Sequence, residues 1–394
     1  MINELMVCDQ TLTKLSVTWA GQYQAFIVAS VRSPDDPPQA AWESYIQIAE
    51  VLQEHRLEIV HERVFGSLSV EVPIMAARHR ALQRFGIPSS NPVTYVQGNP
   101  LWGEGLAGTI IHAVSPGSLA DVWTITDGEH PCGRGWRRDG STYLVLQNIN
   151  GKKYCSEDNE SRPVQARRMI ERAERILREN GASYGDVVRT WFYLSDILDW
   201  YAAFNKVRNE KYGEFGIMPG PGDTDLLLPA STGIRGDTSS GAATTMDLMA
   251  IVGEPRSPRT VKQLTNTAQL DAFRYGSAFS RGARIMGHDV SLLEISGTAA
   301  IDERGKTQFI DDIRGQVDCT FERIETLLRQ EGSELNDIAA ATVFVKKPEH
   351  ASVFWAMAKE RGLKHFPAVC VVADVCRDEL LFEIDAEAVV RSWH

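Results

Sequence analysis

Cysteine is scarce in this chain: six among 394 residues, scattered at Cys8, Cys132, Cys155, Cys319, Cys370 and Cys376, with no CxxC pair. That spacing excludes a disulfide framework and argues against a structural zinc site. The nine histidines form no HExxH pattern and no paired ligand spacing, so nothing calls for a metal or another cofactor. No apolar run approaches the roughly 20 residues that span a bilayer. The start, MINELMVCDQTLTKL, lacks the basic residues and apolar stretch of a signal peptide, and the expectation is a cytoplasmic protein with no membrane partner. Positive charge is also in deficit, with 41 Lys and Arg against 52 Asp and Glu and a net charge of −11. Nucleic acid, which needs a basic face, is therefore not the expected partner. The stretch CGRGWRRDG nevertheless gathers Arg134, Arg137 and Arg138 in what reads as a Gly-rich loop, a grouping suited to a small anionic ligand.

What is present is a pattern used three times. RTWFYLSDILDWYAAFNKVRNEKYGEF from Arg189 and AAATVFVKKPEHASVFWAMAKERGLKHF from Ala339 are each a β-rich run, a polar corner and a helix with aromatic and basic residues. HERVFGSLSVEVPIMAARHRALQRFG from His61 is a weaker third copy. Such internal repetition predicts three copies of one α+β unit, and the length allows two or three cores. The expected units are 1–119, 120–256 and 257–394, with EPRSPRTVKQ as a linker. In each unit, strands would carry two helices on one face. Three such sheets can cover one another's bare faces, sheets inside and helices outside, so the chain is expected to be an intramolecular, monomeric pseudo-trimer rather than one third of a homo-trimer. Between the last helix and strand of the second unit lies MPGPGDTDLLLPASTGIRGDTSSG, long enough for residues 217–242 to be a functional loop.

FEIDAEAVV near the C-terminus, FPAVCVV before it and the strand–helix segments above resemble the YjgF/RidA-like fold. With PASTGIRG and RYGSAFSRGARI, the second-unit segment is similar to the chorismatases, which use that fold to cleave chorismate. The resemblance covers residues 120–394 well and the first unit in outline. It implies ligand clefts between units, chorismate as substrate, pyruvate as one product and no cofactor. RidA-type imine deaminases carry an arginine just after their Phe-Pro-Ala step; here Val369 follows Ala368, which weakens that alternative.

Strand alternation puts Glu383, Asp385 and Glu387 on one face of the closing strand and Phe382, Ile384 and Ala386 on the other. The pattern alone also fits a solvated face. Aligning the copies sets Gly108 and Thr245 opposite Glu383, so one cleft of three would hold this carboxylate, which the resemblance makes the catalytic acid. Protonating an enol ether carbon needs such a group, with a raised pKa. The two carboxylates of chorismate call for arginine clamps, with Arg208, Arg281, Arg235, Arg134 and Arg137 as candidates. Tyr212, one turn after Arg208, shares its helix face; Tyr143 and Thr232 are further hydrogen-bonding candidates, and Tyr193 is read as packing. The resemblance implies that Cys376 and Gly282 mark the branch producing 3-hydroxybenzoate, with Gly282 giving the ring room to shift and Cys376 aiding later proton transfers. Three alternatives stay open: hydrolysis to a trans-dihydroxycyclohexadienoate, a RidA-like imine or enamine hydrolase, and a non-catalytic binding protein.

Overall fold

The structure is a computed structural model that describes residues 5–9, 12–32, 35–117, 121–152, 160–218, 228–253, 261–267, 276–302 and 304–391. Cys155, the linker stretch 254–260 and positions 219–227 of the long loop lie outside the described residues. The first unit contains β1 (Leu5–Asp9), β2 (Thr13–Ala20), β3 (Gln24–Val31), α1 (Pro37–Glu54), β4 (Glu58–Gly66), α2 (Glu71–Arg84), β5 (Thr94–Gln97) and β6 (Leu106–Val114). The second contains β7 (Val122–Asp127), β8 (His130–Arg138), β9 (Ser141–Asn150), α3 (Arg162–Glu179), β10 (Val187–Leu194), α4 (Ile197–Glu214), β11 (Ala230–Arg235) and β12 (Thr244–Val252). The third contains β13 (Val261–Leu264), β14 (Gly282–Met286), β15 (Val290–Ala299), α5 (Ile313–Gln330), β16 (Ile338–Val345), α6 (His350–Glu360), β17 (Ala368–Val372) and β18 (Phe382–Arg391).

All three sheets are six-stranded and share one order: β1-β2-β3-β6-β4-β5, β7-β8-β9-β12-β10-β11 and β13-β14-β15-β18-β16-β17. Each has one parallel pair, β4/β5, β10/β11 or β16/β17, joined by a helical crossover, and is otherwise antiparallel. The expected α+β fold of three copies of one unit is therefore present. Strand alternation builds it. Phe382, Ile384 and Ala386 of β18 pack outward with Val317, Phe321, Ile324 and Leu328 of α5, residues spaced to form one helical stripe. The opposite faces of all three sheets meet in a common core that includes Phe26 and Val28, Tyr143 and Trp191, and Phe344 and Val389. Each large side chain removed from water there stabilises the assembly by about 1.5–3 kcal/mol.

Two sequence expectations change. CGRGWRRDG is mostly strand β8, and the chain turns only at Asp139 and Gly140. Its glycines serve packing: a Cβ at Gly135 would lie 2.4 Å from the Trp123 ring and one at Gly133 would lie 2.3 Å from the Val145 carbonyl oxygen. The third unit opens with β13 and β14 ahead of β15, rather than with a hairpin over Ser291–Lys306.

The three units close on buried charge. Arg63 Nη2 of the first unit donates to Glu387 of the third at 2.7 Å. Arg189 of the second unit lies 3.2 Å from Asp385 and 3.5 Å from Glu294. Both guanidinium groups stand over Trp191, at 4.7 and 4.4 Å from its ring centroid. The Glu383–Asp385–Glu387 face is thus part of the molecular axis, not a solvated surface; all three are at most 4% exposed.

Candidate active site

Where the second and third units meet, β11 continues into a bridge between Ala230 and Ser280. Ser231 N donates to Ser296 Oγ at 2.9 Å across the junction. A small cleft opens there, lined by Tyr201 and Arg208 from α4, Gly233 from β11, and Arg281, Cys376 and Glu383 from the third unit.

Register places Glu383 as the alignment expected. Glu383 pairs with Phe344, Thr245 with Tyr193, and Gly108 with Phe65, so these are the same position in three copies. Glu383 is buried, and its carboxyl is pushed up to about 8, first by desolvation and then by the Asp385 carboxylate, against the pull of Arg189 and Arg281. Asp385 is itself fixed by Thr232 Oγ1 at 2.9 Å, by Arg189 and by the Thr342 backbone N–H. Gly297 makes room for the acid: a Cβ there would fall 2.1 Å from Glu383 Oε1.

Arg208 is 1% exposed. Its Nη2 donates to Asn205 Oδ1 at 2.7 Å, and its guanidinium stands 5.5 Å from the Phe279 ring centroid. Among the described residues it forms no ion pair, and its Nε lacks an acceptor. A buried, unpaired cation costs several kcal/mol, which a ligand carboxylate would offset. Arg281, 3% exposed, also stands 5.5 Å from the Phe279 ring centroid. Burial, reinforced by Glu383, pushes the Cys376 thiol up to about 12, so it stays protonated near neutrality and is a hydrogen-bond or proton donor rather than a thiolate nucleophile. The cavity among these groups is about 40 Å³, with room for water-sized groups.

Of the residues singled out in the sequence, Glu383, Cys376, Arg208 and Arg281 meet at this cleft, with Thr232 behind them, its hydroxyl bonded to Asp385 and Arg189. The others stand elsewhere. Tyr212 packs against Tyr184, 5.2 Å between centroids, in the helix-side core, because the cleft sits against the earlier turns of α4. Arg134 pairs with Glu58 and bonds Thr124 Oγ1, tying the first unit to the second. Arg137 is exposed beside Trp123, and Tyr143 stacks on Trp136 at 4.9 Å. Arg235 is 44% exposed in the Asp374 ion pair, although its backbone N–H to Asp374 O steadies the segment leading to Cys376. Gly282 faces away: its Cβ direction meets Glu294 O and Leu264, so it gives a ligand no room. Tyr193 is packing, as read, in the axial core. Tyr201 was missed, yet Tyr201, Asn205 and Arg208 are spaced i, i+4, i+7 on one face of α4. Gly297 left no signal in the sequence.

Residues 277–390 match the family described as Endoribonuclease L-PSP. A solved chorismatase structure superposes with a TM-score of 0.58 at 19% identity, covering 84% of this chain and 93% of that one. The chain has the fold of that chorismatase. A RutC family protein of Pyrococcus abyssi is 46% identical over 50 residues, 13% of this chain. That match spans 39% of the relative's own length. The YjgF gene product of E. coli covers 32% of the chain at 19% identity with a TM-score of 0.27.

Proposed function

We propose that the chain is a cofactor-free chorismatase that cleaves the enolpyruvyl ether of chorismate and releases pyruvate, with Glu383 as the general acid. The observation that carries this reading is a buried carboxyl, pushed up to about 8 by desolvation, in a cleft that also buries Arg208, which has no ion partner among the described residues. Chorismate is a dicarboxylate and an enol ether. Arg208 and Arg281 bind its carboxylates. The Glu383 proton goes to the methylene carbon of the enolpyruvyl group and leaves an oxocarbenium-like centre beside the Glu383 carboxylate. A general acid with its pKa near the working pH contributes roughly 10²–10⁴-fold. Asp385, Thr232 and Arg189 hold the acid from behind, and Gly297 leaves it space.

The product we favour is 3-hydroxybenzoate, which with pyruvate sums to chorismate without added water. Cys376, neutral and beside Glu383, supports this as a donor for the later proton shifts. The hydrolytic route, which takes up one water and gives the trans-dihydroxycyclohexadienoate, is the second reading. The orientation of Gly282 favours it, since the room that ring displacement requires does not come from that residue. Incubation with chorismate and lactate dehydrogenase tests the reaction, and mass and NMR analysis of the ring product tests the branch. Failure of the folded protein at high concentration to release pyruvate would overturn the proposal.

A further inference from the structure

Two of the three units bury an arginine at the same place in the fold and treat it differently. Arg78 of α2 and Arg208 of α4 each stand two turns before the residue that caps the helix, Phe85 or Phe215. At that distance from the α6 cap, Arg361, stands Phe354. The strands are matched through Phe65, Tyr193 and Phe344, the partners of Gly108, Thr245 and Glu383. Three residues before each of them lie Glu62, Thr190 and Ala341. In the first unit the pair is closed: Arg78 Nε and Nη2 donate to Glu62 Oε1 and Oε2 at 2.7 and 2.6 Å, and Tyr45 Oη donates to the same carboxylate at 2.6 Å. In the third unit both members, Phe354 and Ala341, are apolar and sit in its helix-side core. The second unit keeps the arginine without the carboxylate. Arg208 Nη1 lies 3.5 Å from Ser231 Oγ, which accepts from Thr190 Oγ1 at 2.9 Å, and Arg208 Nη2 donates to Asn205 Oδ1 at 2.7 Å. Asn205 has Met75 and Ala351 as its counterparts in α2 and α6. Among the described residues, the side chains that hydrogen-bond the Arg208 guanidinium are neutral.

We propose that Asn205 is a positioning and specificity-determining residue, whose amide oxygen fixes the Arg208 guanidinium at the cleft without neutralising it. Thr190 serves the same end by standing where the first unit has Glu62, so the positive charge stays available to a ligand carboxylate. The inference rests on Arg208 binding a carboxylate of chorismate, as proposed above. A carboxylate placed on this arginine by the fold would complete the bidentate pairing that guanidinium groups favour and would compete with the substrate as an intramolecular partner.

Asn205→Asp tests it, because the change keeps the shape and supplies the missing charge. The KM for chorismate should rise at least about tenfold, the size of one lost charge-assisted contact, with the loss carried mainly by KM rather than kcat. The melting temperature should stay at or above the parent's, since a buried cation gains an ion partner. Asn205→Ala removes the acceptor and adds no charge; it should raise KM by a smaller factor, and it decides the matter if the aspartate variant folds poorly. Glu62→Gln is the contrast: by leaving Arg78 without its carboxylate it should lower the melting temperature by several degrees and leave KM unaltered. A parent that releases pyruvate while both Asn205 variants keep its KM would overturn the inference and leave the reaction standing. So would a fall in kcat and melting temperature at constant KM, which marks a purely structural residue. If the parent releases no pyruvate, the proposed reaction fails, and the melting temperature of Asn205→Asp still decides: a drop below the parent would show that Arg208 is not short of an ion partner.

Discussion

Two clefts of this molecule share a backbone and differ in content. One, between the second and third units, is about 40 Å³ and encloses a buried acid and a buried arginine with no ion partner among the described residues. The other, between the third and first, is about 350 Å³, aromatic and cationic, with Gly108 where the acid would be. A third junction has Thr245 at that position, and its Asp247 is bonded to Thr94, His61 and the Asn148 backbone N–H. In a homo-trimer one sequence would have to serve all three clefts. Three copies on one chain free each junction to specialise, while Arg63, Arg189, Asp385 and Glu387 hold the copies together on the axis. On the proposed reading, chemistry follows the side chain at one register position, not the size of the cavity.

The sharpest way to break this contrast is at Glu383. Glu383→Gln keeps the shape and removes the proton, and pyruvate release from chorismate should fall roughly 10²–10⁴-fold with the circular dichroism spectrum unchanged. Arg208→Met should come next. It should lower kcat/KM by about 10²-fold, mainly through KM, as expected for a lost charge-assisted clamp. Because the cation has no ion partner among the described residues, the same variant should melt no lower than the parent, and replacing a buried charge by an apolar side chain often stabilises. A melting temperature that drops by several degrees would mean that Arg208 is structural. Gly297→Ala forces a methyl toward Glu383 Oε1, 2.1 Å away, and should cut kcat by roughly 10- to 100-fold through displacement of the acid. Ser30→Ala, in the other cleft, should leave turnover unaltered.

The repeat made the architecture legible, because strand period and helix period recur at matching offsets and only sheets that cover one another bury the inner faces. The same alignment located Glu383, and registers through Phe344, Tyr193 and Phe65 support it. Arginines were harder. Arg208, Arg134 and Arg137 look alike in sequence, yet one is buried with no ion partner among the described residues, one ties two units together and one is exposed. That difference depends on contacts between residues far apart in the chain. Arg63 and Arg189 were not singled out at all, because each finds its carboxylates on another unit. Glycines misled for a related reason: Gly133 and Gly135 read as a loop but serve close packing inside β8, and Gly282 read as a cavity wall but faces Leu264.

The smallest effect concerns pH, and it asks whether the acid in the tight cleft is neutral before substrate arrives. With Glu383 titrating at about 8, kcat/KM should be flat toward acid and fall tenfold per unit above that value. Stability carries the same signature. In the unfolded chain Glu383 ionises near its ordinary 4.5, so between that value and about 8 the native state holds a proton that the unfolded state has released. Stability should therefore decline as pH rises through this window and level off above it. Glu294, raised to about 8 by burial and by Glu387, adds to the decline in the parent, so the difference between parent and Glu383→Gln isolates the one group. Their melting temperatures should converge near pH 4, below the ordinary pKa, where Glu383 is mostly neutral in both states, and separate by roughly 2–4 °C in favour of the variant near pH 9. Parallel melting curves across the window would show that Glu383 is already ionised at neutrality and would leave the cleft without its proton donor.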